Sequence, residues 1–230
     1  MHIMEGFLPA HWCLIWYLIA IPFLVLGVIR LRALIREDRE LLPLLGVSGA
    51  FIFILSALKL PSVTGSCSHP TGTGLSAVCF GPAVTSVLGS IVLLFQALLL
   101  AHGGISTLGA NIVSMGICGP AIGYGLYRLL KDTRVNMYIT VFLATFAANL
   151  MTYVVTSLQI ALAFPAPEGG VITSAVTFLG IFALTQFPLA IVEGCVIALV
   201  FKYIVRLKPD VLINLKVFSE EKIAAGRDSA

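Results

Sequence analysis

The chain has 230 residues, of which 59% are hydrophobic and only 11% charged, and its mean hydropathy is +1.03. Soluble domains carry roughly 25% charged residues, so a soluble fold is excluded and an all-α integral membrane protein with several spans is expected. The formal charge of +3 says little by itself; the positions of the basic residues say more.

The chain opens Met1-His2-Ile3-Met4-Glu5-Gly6-Phe7-Leu8-Pro9. A free amine at Met1, the amide nitrogen of His2 and Nδ1 of its ring can close on one metal ion through two fused chelate rings. Coplanar amide and imidazole nitrogens suit a divalent ion that accepts square-planar geometry, such as Ni(II) or Cu(II), with Co(II) at a stretch. The chelate supplies three nitrogens, so a fourth donor must come from elsewhere. From this stretch alone a frayed terminus is the simpler reading. No basic residue other than His2 precedes the apolar run from Phe7, and that run nearly makes a full span, unlike a secretory signal. The bulky His2 disfavours removal of the initiator, so Met1 is expected to stay.

The first span is expected over residues 8–29, with Trp12, Trp16 and Tyr17 in its first half as interfacial aromatics. Arg30, Arg32, Arg36 and Arg39 follow, read as a short polar link on the cytoplasmic side, which puts the N-terminus outside. A second span over residues 41–58 returns to the outer face. The polar stretch 62–74 then includes Ser66-Cys67-Ser68-His69-Pro70-Thr71-Gly72-Thr73-Gly74. Its Ser, Thr, Gly and Pro content argues against a helix in the bilayer core. It is expected at the outer surface or in a protein-lined cavity, on the same side as Met1 and His2.

Residues 75–101 pose a parity problem, because one crossing here would leave Arg128, Lys131 and Arg134 outside. Gly81-Pro82 resolves it: proline removes a backbone donor and breaks the helix. A short descending helix over 75–80 and an ascending one over 83–101 are expected, with His102-Gly103-Gly104 as an outer turn. Spans over 108–130 and 138–164 follow. Residues 171–205 are too long for one straight crossing, and their first part, ending near Gln186-Phe187-Pro188, is expected to bend or lie along the interface. The count is seven transmembrane helices, N-terminus outside and C-terminus inside. Residues 1–208 form a single domain, and 209–230 form a polar cytoplasmic tail.

The cysteines Cys13, Cys67, Cys79, Cys118 and Cys195 form no C-x-x-C pair, so neither a zinc site nor a disulfide framework is indicated. Small residues at Gly116, Gly119, Gly123 and Gly125, and at Ala144, Ala147, Ala148 and Thr152, suit close helix packing. No phosphate-binding loop is present, so ATP-driven work would fall to a separate subunit. Glu193 is the clearest acid inside the presumed bilayer and calls for a functional hypothesis, yet it is left outside the metal site. The lack of an acidic relay argues against a proton-coupled transporter.

The opening residues 1–9, the loop 61–74, Phe80-Gly81-Pro82-Ala83-Val84 and the segment 94–104 together resemble the CbiM/NikM family. These are the substrate-binding (S) components of energy-coupling-factor transporters for cobalt and nickel, and the likeness is nearer the cobalt members. The resemblance implies an N-terminal helix added to a six-helix core in the plasma membrane. It implies four nitrogen donors: the amine of Met1, the amide and ring of His2, and the ring of His69. It implies no permanent cofactor, transported Co(II) or Ni(II) as cargo, and no enzymatic activity. The partners it implies are a CbiQ-like coupling subunit, a CbiO-like ATPase and a CbiN-like small membrane protein in the lipid bilayer, with no nucleic acid. Cobalt uptake would feed cobalamin synthesis.

Around those ligands, Glu5, Ser66, Cys67, Ser68 and His102 are candidate supporting residues. Direct ligation by Cys67 is disfavoured because a thiolate would hold the ion too tightly for release. His102 reads as a turn or packing residue that could order the site, and His11 as an interfacial histidine. Two other classes stay open: a membrane-embedded metalloenzyme, for which no acid or base is evident, and a component for an organic vitamin, which would favour a larger apolar pocket.

Overall fold

A computed structural model describes residues 1–61 and 66–228; residues 62–65 of the expected loop lie outside the described residues. The chain is mostly helical. After a short strand β1 (His2–Ile3), helix α1 runs Ala10–Glu37 and α2 runs Leu41–Ala57. The expected arginine link is shorter than its charge suggested. Arg30, Arg32 and Arg36 stand on α1, because the Leu31–Glu37 stretch is built of good helix formers.

Two further strands, β2 (Leu60–Pro61) and β3 (Ser66–Ser68), flank the undescribed residues. The polar segment 66–74 does not lie at a surface: every one of its residues is buried. The helix break falls where Gly81-Pro82 placed it. Helix α3 (Thr73–Phe80) ends on Gly81 at φ +81°, a left-handed value that favours glycine. Helix α4 (Pro82–Leu100) starts with proline in its first turn, where the missing N–H costs nothing.

From Leu108 to Leu130 the chain is helical without interruption: α5 (Leu108–Asn111), a π-helical segment (Ile112–Cys118) and α6 (Gly119–Leu130). Helix α7 (Met137–Ala163) packs tightly on α6. A Cβ at Gly123 would lie 2.6 Å from the Ala144 carbonyl oxygen, and one at Gly119 would lie 2.8 Å from that of Ala148. The small residues therefore serve internal packing. Gly125 faces open space.

Helix α8 (Gly170–Leu207) runs through residue 188 without a break: its 38 residues form one helix with Pro188 inside it. Its extensive packing along α7 outweighs the lost proline hydrogen bond. Among the described residues, α1, α4, α7 and α8 are long and apolar enough to cross a membrane, with α2 a shorter apolar helix. The protein is thus a helical membrane protein.

Residues 209–228 fold back onto the helix ends as α9 (Pro209–Asn214) and α10 (Glu220–Asp228). Leu212, Val217, Phe218 and Ile223 are buried with Tyr127, Val141 and Phe201. Tyr127 Oη donates to the Val217 carbonyl, and Tyr138 Oη donates to that of Gly226 across 3.0 Å.

Candidate metal centre

The strands form a three-stranded antiparallel sheet in the order β1-β3-β2, an element the all-α reading did not anticipate. His2 lies opposite Cys67 and Ile3 opposite Ser66, while Leu60 pairs with Ser68. Cross-strand partners project from the same face of a ladder. The N-terminus is therefore held edge-on against the very loop that carries His69.

The other edge of β1 is gripped by the segment before and within α5. The Ile3 amide donates to Asn111 Oδ1 (2.8 Å), and its carbonyl accepts from Thr107 Oγ1 (2.8 Å) and Asn111 Nδ2 (3.1 Å). Two glycines permit the close approach. A Cβ at Gly104 would sit 2.5 Å from Glu5 Cα, and Gly103, at φ +77°, passes the His2 ring where a Cβ would be 3.0 Å from Cδ2. Met1, His2 and His69 are fully buried. The Met1 side chain packs with Ile3, Ile160 and Phe182.

His69 Nδ1 lies 2.6 Å from the Pro70 carbonyl oxygen. A carbonyl only accepts, so Nδ1 carries the proton and Nε2 keeps its lone pair. That lone pair faces His2 Nδ1. His2 Nε2 and Gln96 Oε1 are both buried without a hydrogen-bond partner. Gln96 is oriented by its own Nε2, which donates to Ser56 Oγ (2.8 Å) and the Phe53 carbonyl (3.2 Å).

Cys67 and His102 complete a cluster. One donor atom each from His2, Cys67, His69 and His102 lie within 4.8 Å of one another. The His102 ring is 4.2 Å from that of His2, centroid to centroid, and Cys67 Sγ is 3.0 Å from His102 Nε2. So His102 does sit in the turn expected for it, but its ring points inward among the donors.

Burial tunes these groups toward their uncharged forms. Desolvation brings the Met1 amine from 8.0 down to about 6 and His102 down to about 4, and holds His2 and His69 well below the ordinary imidazole value. The same burial pushes the Cys67 thiol up. Neutral amine and imidazoles are the states a cation requires.

Glu193 on α8 is the residue the sequence reading left outside. It does not join the donor cluster; it anchors the loop beyond His69. Its carboxylate accepts from the Thr71 amide (2.7 Å), Thr71 Oγ1 (2.8 Å), the Gly72 amide (2.7 Å) and Asn149 Nδ2. Gln186, one helical stretch earlier, donates to Asn149 Oδ1 (2.6 Å) and to the His69 carbonyl (3.2 Å). The cue was an acid in an apolar helix, which is costly unless used.

The other expected supporting residues divide. Ser66 is buried on β3, and Ser68 Oγ is 2.8 Å from Thr185 Oγ1. Glu5 points away from the donors. It accepts from the Ser106 amide at 3.0 Å, and hydrogen bonding from the Ser106 side chain, then from its amide, holds its carboxyl below the usual range. His11 is exposed on α1 beside Trp12 and lies outside the cluster.

Residues 2–211 match the family described as the cobalt uptake substrate-specific transmembrane region, CbiM. The chain belongs to the CbiM family. A CbiM relative from Methanosphaerula palustris is 67% identical over 227 residues, covering 99% of this chain and 97% of its own. Cobalt transport protein CbiM of Moorella thermoacetica is 54% identical over 229 residues, covering 100% of this chain and 88% of its own. The crystal structure of a truncated transition metal transporter superposes with a TM-score of 0.71 at 29% identity, covering 89% of this chain and 98% of that one.

Proposed function

We propose that this CbiM-family protein is the substrate-binding component of an ATP-driven energy-coupling-factor importer of divalent cobalt. The ion is captured by the Met1 amine, the amide nitrogen and Nδ1 of His2, and Nε2 of His69. One observation carries the reading: His2 Nδ1 and His69 Nε2 face each other inside a buried site, with the His69 tautomer already fixed by Pro70.

The cargo enters a site built to receive a cation. The amine and imidazoles are biased to their neutral forms by burial, so little proton displacement is needed from them. The His2 amide loses its proton on coordination, and that negative charge offsets part of the ion's. The Glu193 carboxylate, accepting four hydrogen bonds at the loop just beyond His69, supplies a further negative charge. A divalent ion, an amidate and a carboxylate together leave the buried region near neutrality, which lowers the cost of holding the ion away from water.

In this reading seven spans, with the N-terminus outside, face the centre to the outer side of the plasma membrane. A CbiQ-like subunit and a CbiO-like ATPase then reorient the component for release inside, assisted by a CbiN-like protein. Nickel is the second reading, favoured by planar nitrogen donors. Competitive uptake of labelled Co(II) and Ni(II), by cells carrying the chain with its partners, tests both readings. His2→Ala and His69→Ala should each abolish uptake, and unchanged uptake in either would remove the site.

A further inference from the structure

Where α1 and α6 finish, the α1–α2 corner, the α3–α4 corner and the turn after α9 enclose a cavity of about 380 Å³, a size typical of small-molecule sites. Arg128 and Lys131 on α6 and its end, with Lys216 in the turn after α9, bring cations to its wall, while Glu37 and Asp38 at the end of α1 bring carboxylates. Among the described residues, Arg128 and Lys216 form no ion pair. Lys222 is employed otherwise, donating to the Lys131 and Thr133 carbonyls at 2.9 and 3.1 Å. Lys216 is also the residue whose backbone is hardest to explain. It adopts φ +53°, a left-handed value that favours glycine. Its amide donates to the Ile213 carbonyl (2.9 Å) and the Val217 amide to that of Leu212 (3.0 Å), a helix ending at which glycine usually stands. Strain of this kind points to a use for the side chain. On the same wall, α4 starts at Gly81-Pro82 with no side-chain cap, so the positive end of its dipole adds to the lysines and arginine.

We propose that this cavity binds a phosphoethanolamine group, the head of an aminophospholipid. The phosphate sits among Arg128, Lys131 and Lys216, and the ammonium faces Glu37 and Asp38. The Asp38 carboxylate is already oriented, accepting from the Glu40 amide at 2.8 Å. A bare phosphate would be repelled by both carboxylates, whereas a zwitterion uses both signs of charge. Leu34, Phe80 and Leu215 supply apolar wall for the glycerol end. Depth agrees with a lipid source. With Trp12 at one membrane interface, about 20 residues of α1 cross the hydrocarbon, which puts the other interface near Arg32 and the cavity's acids just beyond it, among the headgroups. A basic pocket at the helix ends is the usual kind of lipid-headgroup site. The cavity stands apart from the metal centre, since His2, Cys67, His69 and His102 do not line it.

The test uses the purified full-length chain, stripped of lipid in detergent and titrated with phosphatidylethanolamine, phosphatidylglycerol or free phosphoethanolamine, with binding read by native mass spectrometry and by the rise in Tm. Phosphatidylethanolamine should bind at least about tenfold more tightly than phosphatidylglycerol, which has the phosphate without the ammonium. Free phosphoethanolamine binding more weakly than the lipid would place the source in the bilayer, and binding equally well would place it in solution. Lys216→Gly should leave the lipid-free Tm at or above that of the wild type, because glycine relaxes the left-handed turn, yet weaken phosphatidylethanolamine about tenfold. Arg128→Gln should weaken it similarly, which covers the case of a Lys216 variant that fails to fold. Glu37→Gln with Asp38→Asn should erase the preference over phosphatidylglycerol. Cobalt binding, measured on the same samples, should be unchanged throughout, so the outcome is independent of the proposed function. Phosphatidylglycerol bound as tightly as phosphatidylethanolamine by the wild type, or lipid binding untouched by Lys216→Gly and Arg128→Gln, would overturn the inference.

Discussion

Glu193 accepts two hydrogen bonds from Thr71, one from its amide and one from its hydroxyl, although 122 positions separate the residues. The carboxylate and the loop are therefore one unit, and His69 stands two residues from the clamp.

Glu193→Ala strips the Thr71 and Gly72 amides of their acceptor inside the protein. With about 1–3 kcal/mol for each buried group left unsatisfied, a loss of roughly 3 kcal/mol is expected, visible as a lower Tm in detergent. Cobalt affinity should fall about 10–100-fold, as for other residues that orient ligands. Equal Tm and affinity in wild type and variant would show the clamp to be idle.

Met1 is fully buried, in one apolar cluster with Ile160 and Phe182. One alanine added before Met1 should lower cobalt binding at least about 100-fold, measured by calorimetry. A variant that loads normally would mean that the amine is not a ligand.

Gly104→Ala would bring a Cβ to 2.5 Å from Glu5 Cα, a backbone atom that cannot swing aside. The N-terminal strand must shift, and cobalt affinity should drop at least about tenfold. The exposed His11 provides the contrast: His11→Ala should bind and transport as wild type does.

The pH response follows from the depressed amine and imidazoles. The Met1 amine at about 6 is mostly neutral at pH 7, so one proton, from the His2 amide, should leave per ion at about pH 7.5. As pH falls through about 6 the amine protonates first, and proton release should climb toward about two while affinity declines. Stability follows the same sign. These groups bind protons more readily when unfolded, so the stabilisation is full above the unfolded values and is lost as pH falls through the folded ones. Calorimetry in buffers of different ionisation enthalpy checks the proton count; two protons already released near about pH 7.5 would contradict it.

Phe218 is 5% exposed and stands edge-on to Tyr127 and Phe201. Phe218→Ala should cost about 3 kcal/mol, read as a fall in Tm. No change would mean that residues 209–228 contribute nothing to the helix ends they cover.

Much of the helical layout was legible because apolar run length is a one-dimensional signal. Residues 108–130 and the Gly81-Pro82 break could be read straight along the chain. So could the pairing of His2 with His69, once the resemblance had joined two distant motifs. What could not be read was contact at a distance. Nothing near residue 2 announces that Cys67 will be its strand partner. Nothing near Glu193 announces that Thr71 and Gly72 will be its donors. His102 beside two glycines looked like a turn, and nothing local shows that its imidazole will stand among the donors. Pro188 ends no helix, because α8 continues through it and packs along α7.

Helix α8 carries Gln186 and Glu193 against the His69 loop, and further along Phe201 and Val205 against the residues that follow it. One helix thus joins the two regions without a break. Were its distal end to tilt, the Glu193 carboxylate would move with it, carrying the Thr71 and Gly72 amides that it holds.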